Sequence, residues 1–266
     1  MIKFISLASG SSGNCYYIAT PQTALLIDAG IGVRTIKKHL KEYNISLSSI
    51  HAVLVTHDHA DHIKSIGCLG EKYYIPVYTT KEVHMGINRS HCMTEKLKTS
   101  AHILKKESPI KLGDFTITAF EVPHDGTDNV GYFIEAEGKK YCFVTDIGHI
   151  TTIASQYMCK ANYLILEANY DEEMLRMGTY PLYLKERIVG PNGHLSNIEA
   201  AEFLAEHICE ELKYVWLCHL SKDNNHPELA YKTVEWKLRD KGIIVGKDIQ
   251  IIALKRNVPS DLYEFE

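Results

Sequence analysis

The segment Thr56-His57-Asp58-His59-Ala60-Asp61-His62 packs three imidazoles and two carboxylates into the six residues after Thr56. Neutral imidazole nitrogen and anionic carboxylate oxygen are the donors that Zn²⁺ and similar divalent ions accept, and a loop leaving a strand end can turn several of them toward one point. A lone loop histidine is ordinarily a polar surface residue. An H-x-H-x-D-H run is a ligand set, and its chemistry is metal-assisted hydrolysis.

Such a cluster needs a scaffold that fixes it. Ala52–Val55 is a short apolar run ending at the cluster and reads as a buried strand. Upstream, the apolar stretches Ile2–Leu7, Cys15–Ala19 and Ala24–Ile27 are separated by the turn-rich Ser9-Gly10-Ser11-Ser12-Gly13-Asn14 and by Pro21, which predicts a run of strands. Val33, Ile36, Leu40 and Tyr43 recur at helical spacing. Further strands are expected at Ile75–Tyr78, Phe115–Val122, Val130–Ala136, Tyr141–Val144 and Tyr163–Leu166, with Glu137-Gly138-Lys139-Lys140 as a hairpin connection. Helices are expected at Leu182–Ile188, Asn197–Glu211 and Glu228–Lys241, and strands at Tyr214–Cys218 and Ile249–Ala253. Strands and helices recur in both halves, the pattern of an α/β fold with a sheet-on-sheet core clad by helices. No repeat or linker divides the chain, so residues 1–266 are expected to form one domain.

Composition narrows the function classes. No apolar run approaches the roughly 20 residues that cross a bilayer, and the N-terminus turns polar too soon for a signal peptide. The expectation is a cytoplasmic protein without membrane contact. Seven cysteines, odd in number and lacking a C-x-x-C pair, are expected to be reduced thiols. A net charge of −4 argues against nucleic-acid binding through bulk electrostatics. Any such contact must be local.

The His cluster resembles the signature of the metallo-β-lactamase superfamily, which implies a four-layer αββα sandwich. Downstream positions match the rest of the pattern: Asp28 after Leu25-Leu26-Ile27, His124 in Val122-Pro123-His124-Asp125, Asp146 in Phe143-Val144-Thr145-Asp146, and His219 after Trp216-Leu217-Cys218. The resemblance implies two divalent ions, Zn²⁺ or Mn²⁺. It assigns His57, His59 and His124 to one, Asp61, His62 and His219 to the other, and Asp146 to both. Two cations roughly 3.5–4 Å apart would share a hydroxide, polarise the electrophile and stabilise charge on the departing oxygen. Asp61 is placed to orient that hydroxide as well as to bind. Asp28 is expected to brace the His loop by hydrogen bonding, and Asp58 to face away and support it.

Departures within the superfamily decide the substrate class. Asp146 in place of Cys, and His62 after Asp61, weigh against a secreted β-lactamase; His59 in place of Glu weighs against the di-iron redox branch. Pro123-His124-Asp125-Gly126 differs from the glyoxalase II setting. Ser196 and Glu199 spell a capping box for the helix that follows, and His194 just ahead of it stands where backbone N–H groups favour an anion. In phosphodiesterase branches a comparable histidine contacts the scissile phosphate or protonates the leaving oxygen, which gives His194 a catalytic role here.

Over nearly the whole chain the sequence resembles the YycJ/WalJ family. The matching pieces are the Ser9–Asn14 loop, Glu167-Ala168-Asn169-Tyr170-Asp171, Tyr180-Pro181 with Leu184-Lys185-Glu186-Arg187, Gly193-His194-Leu195-Ser196-Asn197, and His219–Asn225; Tyr170 departs from the His common there. That resemblance implies a 5′–3′ DNA exonuclease linked to DNA repair, with nucleic acid as partner and DNA ahead of RNA. The candidate substrate contacts it implies are Ser11, Ser12, Asn14, Asn169, Arg187, Ser196, Asn224 and Asn225. The stretch from Asp146 to His219 is too short for the β-CASP insertion of RNase J-like enzymes, and that from His124 to Asp146 too short for the arm of many tRNase Z enzymes. A small-molecule or cyclic-nucleotide phosphodiesterase would need the same site in a closed pocket. A non-catalytic binding protein would keep the fold but shed ligands.

Overall fold

A computed structural model describes residues 1–266. The first sheet is built from β1 (Ile2–Ala8), β2 (Cys15–Ala19), β3 (Ala24–Ile27), β4 (Ala52–Leu54), β5 (Val77–Thr79) and β6 (Ala101–Ile103). The second follows as β7 (Ile110–Leu112), β8 (Phe115–Glu121), β9 (Val130–Ala136), β10 (Lys139–Val144), β11 (Tyr163–Glu167), β12 (Tyr214–Cys218) and β13 (Gln250–Ala253). The closing strand, β14 (Tyr263–Phe265), returns to the first sheet, giving the orders β14-β1-β2-β3-β4-β5-β6 and β13-β12-β11-β10-β9-β8-β7. Each sheet is antiparallel on one side and parallel on the other: pairing turns parallel from β3 to β6, and again from β10 to β13.

Parallel strands need crossovers, and these supply the outer layers. α1 (Val33–Glu42), α2 (Ala60–Ile63), α3 (Ile66–Tyr73) and α4 (Lys81–Arg89) belong to the first half. α5 (Thr152–Met158), α6 (Glu172–Met177), α7 (Leu182–Val189), α8 (Asn197–His207) and α9 (Pro227–Asp240) belong to the second. Three cores of similar size result. Phe4, Tyr16, Tyr132, Phe143 and Trp216 fill the space between the sheets. Ile36, Leu40, Leu69 and Val83 seal helices onto the first sheet, while Ala154, Ala200, Leu204, Val234 and Leu238 seal helices onto the second. The expected four-layer αββα sandwich is present.

Three local expectations change. The helix expected to reach Glu211 ends at His207, because Ile208 turns to extended backbone and the chain doubles back to bury Leu212. The strand expected from Ile75 starts at Val77, since Pro76 has no N–H to give a ladder and the Ile75 N–H instead donates to the carbonyl of Leu69 within α3. The hairpin after β9 turns on Glu137 and Gly138 alone, both at positive φ, and Lys139 already pairs with Ala136. Not anticipated were α2 to α6, β6, β7 and β14. None of the helices is long and apolar enough to cross a membrane.

Candidate metal centre

The strand ends of both sheets meet at one edge of the sandwich. Asp28 follows β3, the His57–His62 loop follows β4, Asp146 follows β10, Glu167 ends β11 and His219 follows β12. Side chains from the carboxyl ends of parallel strands therefore converge, with His124 reaching in from the turn after β8. Two of the strand-end residues hold left-handed backbone, Asp28 at φ 59° and His219 at φ 53°. That region is uncommon outside glycine and costs on the order of 1–3 kcal/mol at a non-glycine residue. At His219 it is clamped from both sides: its N–H donates to Ser9 Oγ at 2.9 Å and its carbonyl accepts from Asn169 Nδ2 at 2.8 Å.

Within the first half, Asp28 is fully buried and organises the His loop. Oδ1 accepts from the Thr56 N–H at 2.8 Å, and Oδ2 accepts from Thr56 Oγ1 at 2.9 Å and lies 2.8 Å from His62 Nδ1. A proton held on Nδ1 leaves Nε2 facing Asp146 Oδ2 at 3.3 Å. Asn14 Nδ2 also approaches that Nε2 at 2.9 Å, and its Oδ1 accepts from the Gly10 N–H at 2.8 Å. His57 Nδ1 lies 3.0 Å from Thr56 Oγ1, while its Nε2 is buried without a partner. Gly30 makes this packing possible, since a Cβ there would stand 1.6 Å from the carbonyl oxygen of Asp61. Asp58 faces away from the cluster and accepts from Thr127 N at 2.9 Å and Oγ1 at 2.5 Å, which ties down the turn carrying His124.

The two halves are stitched at His59 and His124. His124 Nδ1 donates to the Gly193 carbonyl at 2.8 Å, and its Nε2 comes within 3.3 Å of His59 Nδ1. His59 Nε2 faces Asp125 Oδ1 at 3.3 Å, and Asp125 is gripped by Arg187 at 2.5 and 3.0 Å. In the second half, Glu167 is fully buried beneath two imidazoles: Oε1 is 2.7 Å from His194 Nδ1 and 3.0 Å from His219 Nδ1. Its Oε2 accepts from the N–H groups of Ile147 at 2.8 Å and Leu195 at 3.2 Å. His219 Nε2 then faces Asp61 Oδ2 at 3.2 Å.

These residues fit divalent cations. Four overlapping groups bring their ligand atoms within 4.8 Å of one another: His57–His59–His124, His57–His62–Asp146, Asp61–His62–His219 and Asp146–Glu167–His194–His219. Two buried atoms, His57 Nε2 and Asp146 Oδ2, have no hydrogen-bond partner in the protein, which a metal bond would satisfy. Burial, followed by the charge of His62, drives His57 well below its ordinary pKa, and burial likewise lowers His124, so both present neutral nitrogen. Burial opposes charge on Asp146 too, yet His219, His62 and His57 outweigh it and hold the carboxyl well below the usual range. The same contest, won by Asp146 with Asp61 and Glu167, raises His219 to about 10. Buried anions here demand positive charge, and cations that displaced these protons would supply it.

Residues expected at the substrate divide into two sets. Ser11 and Ser12 are exposed on the loop before Asn14, with Ser12 Oγ donating to Asn257. Arg187 is half exposed, but its guanidinium is engaged by Asp125. Asn169 braces His219, and Asn224 is buried with an unpartnered amide. Asn14, like Asn169 and Asn224, is buried, and so are Ser196 and Asn225, whose polar groups are used within the fold. Ser196 is fully buried and caps α8 together with Glu199, and the Asn225 amide is taken up by Asn197 and the carbonyls of Ala168 and Asn169.

Comparison with known proteins follows the same lines. Residues 23–216 match the beta-lactamase superfamily domain. Over 98% of both chains the sequence is 34% identical to exodeoxyribonuclease YycJ of Bacillus anthracis. It is 33% identical to exodeoxyribonuclease WalJ of Streptococcus pneumoniae, over 98% of this chain and 97% of that one. The chain belongs to the YycJ/WalJ family of the metallo-β-lactamase superfamily. The fold agrees: the metallo-β-lactamase fold protein YhfI of Bacillus subtilis superposes with a TM-score of 0.70 at 16% identity, covering 98% of this chain and 100% of that one. Membership in this superfamily implies divalent metal binding, and the His/Asp groups above are suited to it.

Within the family frame, two features gain meaning. Tyr170, where a His is common, packs with Leu175 and Ile188 beneath α6 and α7, so this departure is a core residue. Glu167 is the functional residue that sequence reasoning missed. It stood in a family block without a role, and its signal was a lone carboxylate ending an otherwise apolar strand, Tyr163-Leu164-Ile165-Leu166. A fully buried acid at a strand end demands partners. Asp125, next to His124, carried no comparable signal.

Proposed function

We propose that the protein is a two-metal phosphodiester hydrolase acting as a 5′–3′ DNA exonuclease, a single cytoplasmic domain without a β-CASP insertion, linked to DNA repair. The observation that carries the reading is His194, whose Nδ1 is held at 2.7 Å by buried Glu167 while its ring stays 14% exposed beside the His/Asp groups. Kinship over the full chain with the two exodeoxyribonucleases supports DNA as the polymer. Partial exposure of His59 at 29% and Asp61 at 23% supports an open site for a strand over a closed pocket for a small diester.

His57, His59 and His124 would hold one ion, Asp61, His62 and His219 a second, with Asp146 between them. When bound, two Zn²⁺ or Mn²⁺ ions supply Lewis-acid polarisation of the phosphoryl group and an activated water. The protein's own residues do the rest. Asp61 accepts a hydrogen bond from the attacking water and aligns it. Glu167 accepts a hydrogen bond from His194 Nδ1 and fixes the ring, so that Nε2 faces the departing sugar oxygen and donates a proton to it.

Leaving-group dependence tests this division. His194→Ala should lower the rate on DNA by about 10²–10⁴-fold, the usual worth of a positioned acid. It should spare bis-p-nitrophenyl phosphate, whose phenolate leaves without a proton. Asp61→Ala should abolish both activities. Wild type loaded with Zn²⁺ or Mn²⁺ that cleaves no end-labelled DNA or RNA would sink the proposal, and cleavage of small diesters alone would favour the closed-pocket alternative.

A further inference from the structure

Three of the most exposed large apolar side chains belong to the α6–α7 hairpin. Met177 and Leu182 are 70% exposed and Tyr183 is 72% exposed. The hairpin has an inner face as well: Leu175 and Ile188 join Tyr170 in a small core, with Leu184 packed against it. These three side chains are therefore surplus to folding, and exposed apolar side chains gathered on one element suit an interaction site.

The helix that carries Tyr183 is tied to the rim of the His/Asp groups through Arg187. Tyr183 and Arg187 are four residues apart on α7, which puts them on one face with Cβ atoms about 5–6 Å apart. Arg187 grips Asp125, and Asp125 faces His59. Further latches hold the hairpin in place. Lys185 Nζ donates to the carbonyls of Arg176 and Gly178, and Tyr180 Oη donates to Asp223 Oδ2 at 2.9 Å in the loop after His219. The ring of Tyr183 is thus presented from a braced helix beside the site.

Charge argues for what it meets. The whole chain carries −4, and the hairpin's Glu172, Glu173 and Glu186 balance Arg176, Lys185 and Arg187. Neither the whole chain nor the hairpin carries the excess of positive charge that ordinary non-specific binding draws on. Aromatic stacking needs no charge and accepts every base.

We propose that Tyr183, flanked by Leu182 and Met177, is a stacking platform for an unpaired base of the strand whose phosphate enters the His/Asp site. The inference rests on the phosphodiesterase reading and specifies its substrate as single-stranded at the point of contact. A paired terminal base must leave its stack before its phosphate is cleaved.

Binding of a short phosphorothioate-linked single strand, labelled at its 3′ end and followed by anisotropy on metal-loaded protein, tests it. Tyr183→Ala should weaken binding about 5- to 150-fold, and Tyr183→Phe should keep wild-type affinity. An abasic 5′ end should cost wild type the same factor and cost Tyr183→Ala nothing further, because the base and the ring would be one interaction. Equal affinities for wild type and Tyr183→Ala, in a wild type that does cleave DNA, would overturn the platform while leaving the nuclease reading intact. So would sedimentation showing a wild-type dimer that Tyr183→Ala dissolves without loss of DNA affinity. A wild type that cleaves no nucleic acid would instead remove the underlying reading.

Discussion

Glu167 links the histidine proposed as acid, His194, to the expected metal ligand His219. One carboxylate oxygen faces the Nδ1 atoms of His194 and His219, and the other receives two backbone N–H groups, so the side chain has no freedom to turn. Burial works against its charge, yet His194 and His219 together lower its pKa. Glu167→Gln keeps the shape but removes that charge. Outer carboxylates of this kind typically contribute 10–100-fold in metal affinity. The variant should therefore bind Zn²⁺ about 10–100-fold more weakly in chelator competition, and should lose activity on DNA in parallel with His194→Ala. Unchanged metal affinity would confine Glu167 to His194. Asp28 and Asp125 do comparable work for His62 and His59, so three of the histidines expected as metal ligands each face a carboxylate.

At the scale of elements, short loops are fixed by side chains acting as backbone partners. Thr127 is held by Asp58, Gly10 by Asn14, and residues 98–100 by Glu71 at the end of α3. Glu71 accepts from the N–H of Lys98 and the hydroxyl of Ser100, with further bonds from Ser100 and Thr99 N–H, and these hold its carboxyl at about 2 against an ordinary 4.5. A carboxyl depressed by folding adds stability that is present above 4.5 and lost as pH falls through 2. Glu71→Gln should lower the melting temperature at neutral pH, and the gap from wild type should close as pH falls from about 4.5 toward 2. A gap that stays constant over that range would show that Glu71 acts by packing.

For the whole molecule, the three cores lie between and outside the sheets, whereas the His/Asp groups lie along their edge. Folding and metal binding are therefore separable, unlike small domains in which the metal replaces the core. Removing metal with a chelator should leave far-ultraviolet circular dichroism unchanged. It should lower the melting temperature, and metal at 100 times its Kd should restore about 2.7 kcal/mol of stability. Collapse of secondary structure on chelation would refute this separation.

The sequence by itself determined the fold class and the centre of the site. Apolar runs bounded by turn residues marked most long strands, and His57–His62 declared metal chemistry because ligands within one loop are adjacent in sequence. Asp28, His124, Asp146 and His219, each following an apolar run, were legible only through the resemblance to the metallo-β-lactamase superfamily. Tertiary structure alone decided what each outer residue touches. Glu167 meets His219 only because β11 and β12 run parallel, it meets His194 only because the loop before α8 returns over the end of β11, and Arg187 meets Asp125 only because α7 folds back over the turn after β8. It also showed that Ser196 and Asn225 are internal, and that β14 returns to pair with β1. Periodicity reports which side chains are buried. It carries no information about which distant side chain a buried carboxylate will find, because that depends on how strand ends are brought together across the sandwich.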